Sequence, residues 1–375
     1  MAVYFHGTVP HGKTRTTKGL IMSKTIRVGV IGAGGIAKSH VNALKEIPGV
    51  EIAALADVKA EIVAKFKADL QLDKAVEYTD WKKLVLDKNV DAVTVCTPNG
   101  LHKDPVIAAL KNGKHAMVEK PLAMNAKEGK LMCDAAKAAK KTLTIGFQQR
   151  FRPDVQYIAR LVKDGVIGDI VYCRTQWLRR RGIPSWGVFG RKDLQGGGPM
   201  IDIGVHALDM AHYICGRPAP LTASGACYTY LGDKKPEATP PWGEWDWKTY
   251  TVEDLAVGFL RFKGGLSMTV ESSFAAHIEE ETFRLQVMGT KGGALIGTGI
   301  NGVKFFSDVS GKMTNSQTTW LPNDDCFKVK MRNWIAVCRG EMENDAPGED
   351  GLMVQRLLDG VYASAEKGKE VDISK

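Results

Sequence analysis

One short segment near the start of this 375-residue chain constrains its fold more than any other. The apolar run IRVGVIG, residues 26–32, has the composition of a buried strand and continues into GAGGIA, residues 32–37. In this spacing Gly32 allows a tight turn, Gly34 lets a pyrophosphate approach the backbone, and Ala37 permits close packing of helix on strand. A helix that begins here directs its free N–H groups at phosphates. The segment therefore predicts the first strand, turn and helix of a dinucleotide-binding domain.

The rest of the chain divides into two regions with different patterns. Short β-branched runs alternate with helical periodicity over residues 25–150, which predicts an α/β fold with a doubly wound parallel sheet, a Rossmann domain. Longer alternating strands over residues 151–375 predict an α+β domain on an open, mostly antiparallel sheet, which would bind substrate. A homodimer or homotetramer formed through the bare sheet face would protect that face. Residues 1–24 lack periodicity and are expected to be a flexible extension.

Composition excludes several classes of function. The net charge is +9, but four basic residues lie in the first 24, so no basic nucleic-acid surface is required. No apolar run reaches the roughly 20 residues that a membrane helix needs. The seven cysteines form no C-x-x-C pair, which favours a reducing, cytoplasmic setting over a disulfide framework. Spacing typical of metal ligands is not visible, so we expect no metal.

Asp57 bears on the choice of cofactor. It ends the second predicted strand, where a carboxylate accepts hydrogen bonds from the adenosine ribose hydroxyls. A negative charge there repels a 2′-phosphate, so NAD is expected rather than NADP, although Lys59 lies close by in sequence. Gly35 and Ile36 complete the phosphate-binding turn. The cofactor is therefore predicted to be NAD.

Two more strand ends carry polar residues. Thr97, Asn99 and His102 belong to CTPNGLH, after the fourth strand, and Glu119 and Lys120 belong to VEKP, after the fifth. Ligands bind at the carboxyl ends of such strands, so all five are candidates for the nicotinamide side of the cofactor. From the residues of CTPNGLH alone, a simple turn with a surface histidine is the favoured interpretation. The lysine precedes a proline and is therefore extended, able to bond a reacting hydroxyl.

The segment GGGPMIDIGVH, residues 196–206, carries an acid and an imidazole. Asp202 and His206 stand at i and i+4 of a predicted helix and so share a face. Histidine titrates near neutrality and suits a general base, while the carboxylate can orient the ring or hold a substrate hydroxyl. A buried structural pair is the alternative interpretation, and the helix residue His212 on another face is assigned no role.

These motifs together resemble a known family. GAGGIA, CTPNGLH, VEKP and GGGPMIDIGVH follow one another in the order and spacing of the glucose–fructose oxidoreductase, inositol dehydrogenase and rhizopine-catabolism family, often written Gfo/Idh/MocA. The resemblance implies NAD(P)-dependent oxidation or reduction of sugars and polyols. It also implies that Lys120, Asp202 and His206 are catalytic. His206 would take the hydroxyl proton as hydride leaves for the cofactor, and Lys120 would stabilise the alkoxide.

The substrate is less well determined by the sequence. Trp177 and Arg179 lie at a strand end beside the catalytic segment, and Arg150 lies at the domain junction, so these three are candidates to bind the sugar. Residues 234–248 are rich in tryptophan and proline and are interpreted as a lid or an intersubunit loop. The alternatives are an NAD-dependent glycosidase that works by transient oxidation, an NADPH-dependent keto-sugar reductase, and a regulator that binds NAD without catalysis.

Overall fold

A computed structural model describes residues 24–375, which form two sheets. The first sheet is parallel, in the order β3-β2-β1-β4-β5-β6. Its strands are β1 (Ile26–Ile31), β2 (Val50–Ala56), β3 (Val76–Tyr78), β4 (Ala92–Val95), β5 (His115–Val118) and β6 (Leu143–Ile145). Its crossover helices are α1 (Gly35–Lys45), α2 (Ala60–Asp69), α3 (Trp81–Leu86), α4 (Lys103–Lys111) and α5 (Ala126–Ala139). Strands are added to one side of β1 as far as β3 and to its other side from β4 onward. This change of side between β1 and β4 opens a crevice at the carboxyl ends of the strands.

The second sheet has the order β14-β13-β12-β11-β7-β10-β9-β8-β15, and β7 pairs with β10 in parallel while the other pairings are antiparallel. Its strands are β7 (Ile170–Leu178), β8 (Pro220–Tyr228), β9 (Leu255–Phe262), β10 (Ser267–Ser273), β11 (Thr282–Gly289), β12 (Gly292–Gly297), β13 (Lys304–Val309), β14 (Lys312–Gln317) and β15 (Val371–Asp372). The remaining helices are α6 (Pro153–Lys163), α7 (Lys192–Gln195), α8 (Val205–Ile214), α9 (Cys326–Arg339) and α10 (Gly348–Lys367). The predicted fold class is confirmed for both regions.

Helices α8 and α10 pack on one face of the second sheet, where the buried side chains of alternate strand residues meet them. Helix α9 instead returns to the first domain, and its Trp334 and Ile335 pack with Val28 and Leu44. Helix α9 therefore belongs to the core of the first domain although it follows residue 150 in the chain. The division into domains at residue 150 stays a prediction. Apart from Lys24, the predicted extension lies outside the described residues.

Candidate active site

A cleft of about 570 Å³ lies between the two domains at the carboxyl ends of the parallel strands. Both domains contribute to it, and its lining includes most of the predicted site residues. The lining consists of Ile36, Thr97, Pro98, Asn99, Glu119, Lys120, Gln148, Gln149, Trp177, Arg179, Trp186, Phe189, Gln195, Asp202, Ile203 and His206. Aromatic, charged and amide side chains thus meet in one space, as in most sites for small polar ligands.

The glycine turn at one end of this cleft fits a dinucleotide. Gly32 has a φ of +90°, and a Cβ there would lie 2.8 Å from the Cys96 carbonyl, so only glycine suits the position. A Cβ on Gly34 or Gly35 would meet nothing within 4 Å, which leaves open space in front of helix α1. The N–H of Ala33 donates to Asp57 Oδ2 over 3.0 Å and holds that carboxylate beside the turn. This geometry fits the predicted roles of the glycines as a phosphate cradle and of Asp57 as a ribose acceptor, which remain predictions.

Lys120 and Asp202 form an ion pair across the cleft. Lys120 Nζ donates to Asp202 Oδ1 over 2.8 Å and to the Asp202 carbonyl oxygen over 2.9 Å. Burial alone would raise the pKa of the Asp202 carboxyl, but the Lys120 ammonium outweighs it and the pKa is lowered. The lysine of the first domain is thereby fixed by an aspartate of the second.

The segment that carries Asp202 is not a regular α-helix. Residues Met200–Gly204 form a π-helical turn, and α8 follows directly. Such turns are rare and occur often at functional sites. A Cβ on Gly204 would lie 2.7 Å from Met200 Sδ, so a larger residue would disturb the turn. The wider turn directs both the carboxylate and the backbone carbonyl of Asp202 at Lys120.

His206 lies behind this ion pair and is only 5% exposed. Its Nδ1 is buried and has no hydrogen-bond partner within residues 24–375. Burial and the nearby Lys120 ammonium lower the pKa of His206 to about 3, so the ring is neutral at physiological pH. The expectation that Asp202 orients this ring is not met, because the aspartate binds Lys120. The negative charge of Asp202 favours the protonated imidazole and so partly opposes the lowering of the His206 pKa.

A buried charged cluster lies beneath Lys120. Glu119 Oε1 lies 2.8 Å from His40 Nε2 and 3.0 Å from Lys330 Nζ, and Glu119 Oε2 accepts from the Lys120 N–H over 3.3 Å. Burial would raise the pKa of Glu119, but Lys330 and His40 hold it well below its ordinary value. Lys330 comes from α9, so this cluster joins the end of the chain to helix α1 and strand β5. Sequence reasoning identified Glu119 and missed its two partners.

His102 does not line the cleft, contrary to the prediction. Its ring is fully buried, with Nδ1 2.9 Å from the Pro121 carbonyl oxygen and Nε2 2.9 Å from that of Thr97. The side chain therefore ties two cleft-forming loops together from below. Thr97 and Asn99 do line the cleft, and Asn99 Nδ2 donates to the Gln195 carbonyl oxygen over 3.0 Å.

Arg150 also has a different position from the predicted one. It is 1% exposed and is not part of the cleft lining. Its guanidinium forms ion pairs with Asp209 and, over 2.7 Å, with Asp350, and it lies against the Tyr213 ring. Buried charges of this kind are structural because each donor already has a partner. We therefore remove Arg150 from the substrate-binding candidates.

Trp177 and Arg179 lie where the sequence placed them, at the wall of the second domain. The Trp177 and His206 ring centroids are 6.0 Å apart. Arg179 donates to the Gly182 carbonyl oxygen over 3.1 Å and lies 4.0 Å from Asp202 Oδ2. Both side chains face the reaction centre, and the arginine is already engaged by the protein.

Glu253, which sequence reasoning missed, holds the start of the catalytic segment. Its carboxylate accepts from the Gly198 N–H over 2.9 Å, from the Met200 N–H over 3.2 Å and from the Tyr362 hydroxyl over 2.7 Å. These backbone groups lie at a helix N-terminus that has no side-chain cap of its own. Because Glu253 is distant in sequence, no local capping pattern could reveal it.

The comparisons with known proteins agree with this geometry. The oxidoreductase family with an NAD-binding Rossmann fold matches residues 26–147, and the GFO/IDH/MocA C-terminal domain matches residues 155–295. D-glucoside 3-dehydrogenase of Escherichia coli is 34% identical over 95% of this chain and 100% of its own length. The chain belongs to the Gfo/Idh/MocA oxidoreductase family. Its N-terminal domain is accordingly an NAD-binding Rossmann domain, and the predicted resemblance is confirmed.

Other members of the Gfo/Idh/MocA family are similar along most of the chain. Myo-inositol 2-dehydrogenase of Thermotoga maritima is 29% identical over 93% of this chain and 98% of its own length. The solved structure of levoglucosan dehydrogenase with NADH and levoglucosan has a TM-score of 0.80 at 23% identity and covers 94% of this chain and 100% of its own. That structural likeness concerns the fold.

Within residues 24–375, no helix is long and apolar enough to cross a membrane, and no three or more His, Cys, Asp and Glu side chains are grouped to hold a metal ion. The trio that the Gfo/Idh/MocA resemblance marks as catalytic, Lys120, Asp202 and His206, lines one cleft. The chemical roles of the three remain predictions.

Proposed function

We propose that the protein is an NAD-dependent dehydrogenase that oxidises a secondary ring hydroxyl of a neutral glycoside or a related sugar or cyclitol. One observation carries the proposal. The Lys120 ammonium and a neutral, unpartnered His206 imidazole line the same cleft on either side of Asp202. A cation beside a free base is the arrangement that removal of a hydroxyl proton requires.

The roles of the three residues follow from their contacts. Lys120 stabilises the substrate oxygen as negative charge develops, and its bond to Asp202 keeps the ammonium in place. His206 accepts the hydroxyl proton, because its ring lines the cleft and is neutral. When bound, NAD⁺ supplies the acceptor for the hydride that leaves the same carbon. The products are the ketone, the reduced cofactor and a proton, and in the reverse direction His206 returns the proton.

The cleft favours a neutral substrate. Its cationic side chains within the described lining are Lys120 and Arg179, and Asp202 lies within reach of both. A sugar phosphate would therefore lack an unengaged cation to bind it. The similarity to D-glucoside 3-dehydrogenase supports a glucoside, and the similarity to myo-inositol 2-dehydrogenase makes a cyclitol the second candidate.

We also propose a preference for NAD over NADP. The Asp57 carboxylate stands beside the glycine turn, where it accepts from the Ala33 N–H and, over 3.3 Å, from the Lys59 N–H. Lys59 thus engages Asp57 through its backbone. The negative charge at this position opposes a 2′-phosphate.

A substrate screen tests the proposed function. Methyl D-glucosides, levoglucosan, myo-inositol and glucose 6-phosphate are incubated with NAD⁺, and the reduced cofactor is measured by its absorbance together with the ketone product. We expect turnover with a neutral glycoside or cyclitol above that with the phosphate. Release of the aglycone without net reduced cofactor would instead establish the glycosidase, and NAD⁺ binding without any turnover would establish the regulator.

A second copy of the chain is proposed to cover the other face of the second sheet. That face carries the half-buried Val257 and Phe259 on β9 and Tyr172 on β7. Light scattering after size-exclusion chromatography gives the oligomeric state, and a monomer at micromolar concentration would contradict the proposed interface.

All seven cysteines are free thiols, which supports the proposed reducing, cytoplasmic compartment.

A further inference from the structure

The outer wall of the cleft holds an aromatic surface that the reaction centre does not use. Trp186 lines the cleft yet is 57% exposed, which is unusual for so large an apolar side chain. Its ring stacks on Trp242, with centroids 5.8 Å apart and planes inclined by 17°. Phe189 meets Trp186 edge-on, with centroids 6.5 Å apart. Trp186 and Phe189 therefore present an aromatic surface to the cleft, and Trp242 supports it.

This surface is connected to the reaction centre by direct contacts. The Arg179 guanidinium lies 4.4 Å from the Trp242 ring centroid, a cation–π distance. The same guanidinium lies 4.0 Å from Asp202 Oδ2, and Asp202 binds Lys120. The position of the aromatic surface is thus set relative to the hydroxyl that Lys120 and His206 act on.

The loops that carry the two tryptophans are fastened to each other and to the sheet. Ser185 Oγ donates to the Trp242 carbonyl oxygen, and Trp245 Nε1 donates to the Gly232 carbonyl oxygen over 2.7 Å. Asp254 accepts from the N–H groups of the turn that starts this loop, including that of Gly232 over 2.8 Å. The segment interpreted from the sequence as a lid or an intersubunit loop, residues 234–248, therefore supports the cleft-lining Trp186 through the stacked Trp242. A surface formed in advance binds without a large cost in ordering.

We propose that Trp186, supported by its stacking on Trp242, forms an aglycone subsite, which stacks on a second neutral ring joined to the oxidised pyranose by a glycosidic bond. This inference rests on the proposed function. A flat indole face suits the C–H face of a sugar or the face of an aryl group, because both contacts depend on dispersion. The cations of the described cleft lining, Arg179 and Lys120, are engaged by Asp202, so the ring that binds there carries no charge.

Steady-state kinetics with matched substrates tests the subsite. Methyl D-glucoside, phenyl D-glucoside of the same anomeric configuration and a glucosyl disaccharide are oxidised by the wild type, Trp186→Ala and Trp186→Phe. We expect Trp186→Ala to lower the kcat/KM ratio of phenyl to methyl glucoside by roughly two- to tenfold, chiefly through KM. Trp186→Phe should retain most of the ratio because it keeps an aromatic face. The disaccharide arm shows whether a sugar ring, an aryl ring or both use the subsite.

Trp320→Ala is the matched control, because Trp320 is 75% exposed and lies outside the cleft lining. It should leave the ratio unchanged. Equal effects of Trp186→Ala on all three substrates would overturn the aglycone subsite while the dehydrogenase assignment stands. If the wild type oxidises none of the glucosides, the glucoside assignment itself fails and the subsite fails with it.

Discussion

Two clusters of charge contain neighbouring aspartates of one helical segment, and they differ in their burial and in what their polar atoms contact. Asp202 pairs with Lys120 at the cleft, where His206 Nδ1 has no partner among the described residues. Asp209 pairs with Arg150, whose remaining donors bind Asp350 and a backbone carbonyl. The first cluster thus lines a cleft and includes a ring nitrogen without a partner, whereas every Arg150 nitrogen in the second binds a protein oxygen.

The comparison shows that burial and charge do not by themselves identify a reactive site. Both clusters pair a lysine or arginine with an aspartate, and the first is half-buried whereas the second is fully buried. The first cluster is distinguished by its place at a cleft together with buried polar atoms that lack a partner, because such atoms are costly to leave unpaired. His206 Nδ1 and Gln148 Oε1 are two of these atoms, and both residues line the cleft.

The largest effect should follow from replacement of the free base. We expect His206→Ala to lower kcat by roughly 10²–10⁴-fold with little change in the Kd for NAD⁺, because only the proton acceptor is lost. Steady-state kinetics and cofactor binding by fluorescence measure the two quantities. His212→Ala on the same helix is the control, since that ring faces the Pro218 carbonyl oxygen over 3.0 Å. If kcat is unchanged in His206→Ala, His206 is not the base.

Replacement of Arg150 in the second cluster should change the stability of the protein rather than its activity. Arg150→Met leaves Asp209 and Asp350 buried without their shared partner, so we expect a loss of about 3–5 kcal/mol in the free energy of unfolding. Denaturant unfolding measures it. Arg152→Met removes a half-exposed pair with Asp154 and should cost less than about 1 kcal/mol. A stable Arg150→Met protein with a raised substrate KM would restore Arg150 as a binding residue.

A Glu253 variant tests whether the cluster of Lys120 and Asp202 depends on a residue that is distant from it in sequence. Glu253→Gln places an amide N–H against backbone N–H groups of Gly198 or Met200, and we expect kcat to fall about 10–100-fold as Asp202 shifts. The Kd for NAD⁺ should stay the same. Tyr362→Phe removes one donor and leaves both backbone contacts, so its effect should be smaller. Equal kcat in wild type and Glu253→Gln would show that the segment holds its geometry unaided.

Asp57 combines features of the two clusters. One of its carboxylate oxygens accepts a hydrogen bond from the glycine turn, and its charge faces the cofactor side. Asp57→Asn keeps an acceptor for Ala33 and removes the charge. We expect the NAD-to-NADP ratio of kcat/KM to fall roughly tenfold. Asp80→Asn, at the N-cap of α3, should leave the ratio unchanged. A constant ratio in Asp57→Asn would assign the preference to other residues.

The smallest effect concerns pH. A general base works only when neutral, so activity falls as pH drops through the pKa of its protonated form. Burial lowers the pKa of His206 to about 3, well below the ordinary value of 6.5. The kcat/KM should therefore change less than about twofold between about pH 7 and about pH 6. An inflection near the ordinary histidine value, measured at saturating NAD⁺, would show that bound cofactor raises the pKa of His206.

Patterns of neighbouring residues predicted the strands and turns whose formation depends mainly on those residues. The parallel strands were recognised from their apolar runs, and the glycine turn from Gly32 and its neighbours. Strands β12 and β14 were missed, because GGALIG is short and glycine-rich and KMTNSQ is polar, so neither has an alternating pattern. The return of α9 to the first domain was missed as well, since an amphipathic helix does not specify which apolar surface it covers.

The sequence by itself determined the class of protein and the residue types at its reactive centre, because the glycine spacing, Lys120, Asp202 and His206 lie in short motifs with local meaning. Tertiary structure decided which charged residues are free to act. It removed Arg150 and His102 from the site, paired Asp202 with Lys120, and brought Glu253 and Trp242 from distant segments to support the segment before Asp202 and the cleft-lining Trp186. The physical reason is that a polar group's availability depends on its partners in space, and those partners come from parts of the chain that local patterns do not connect.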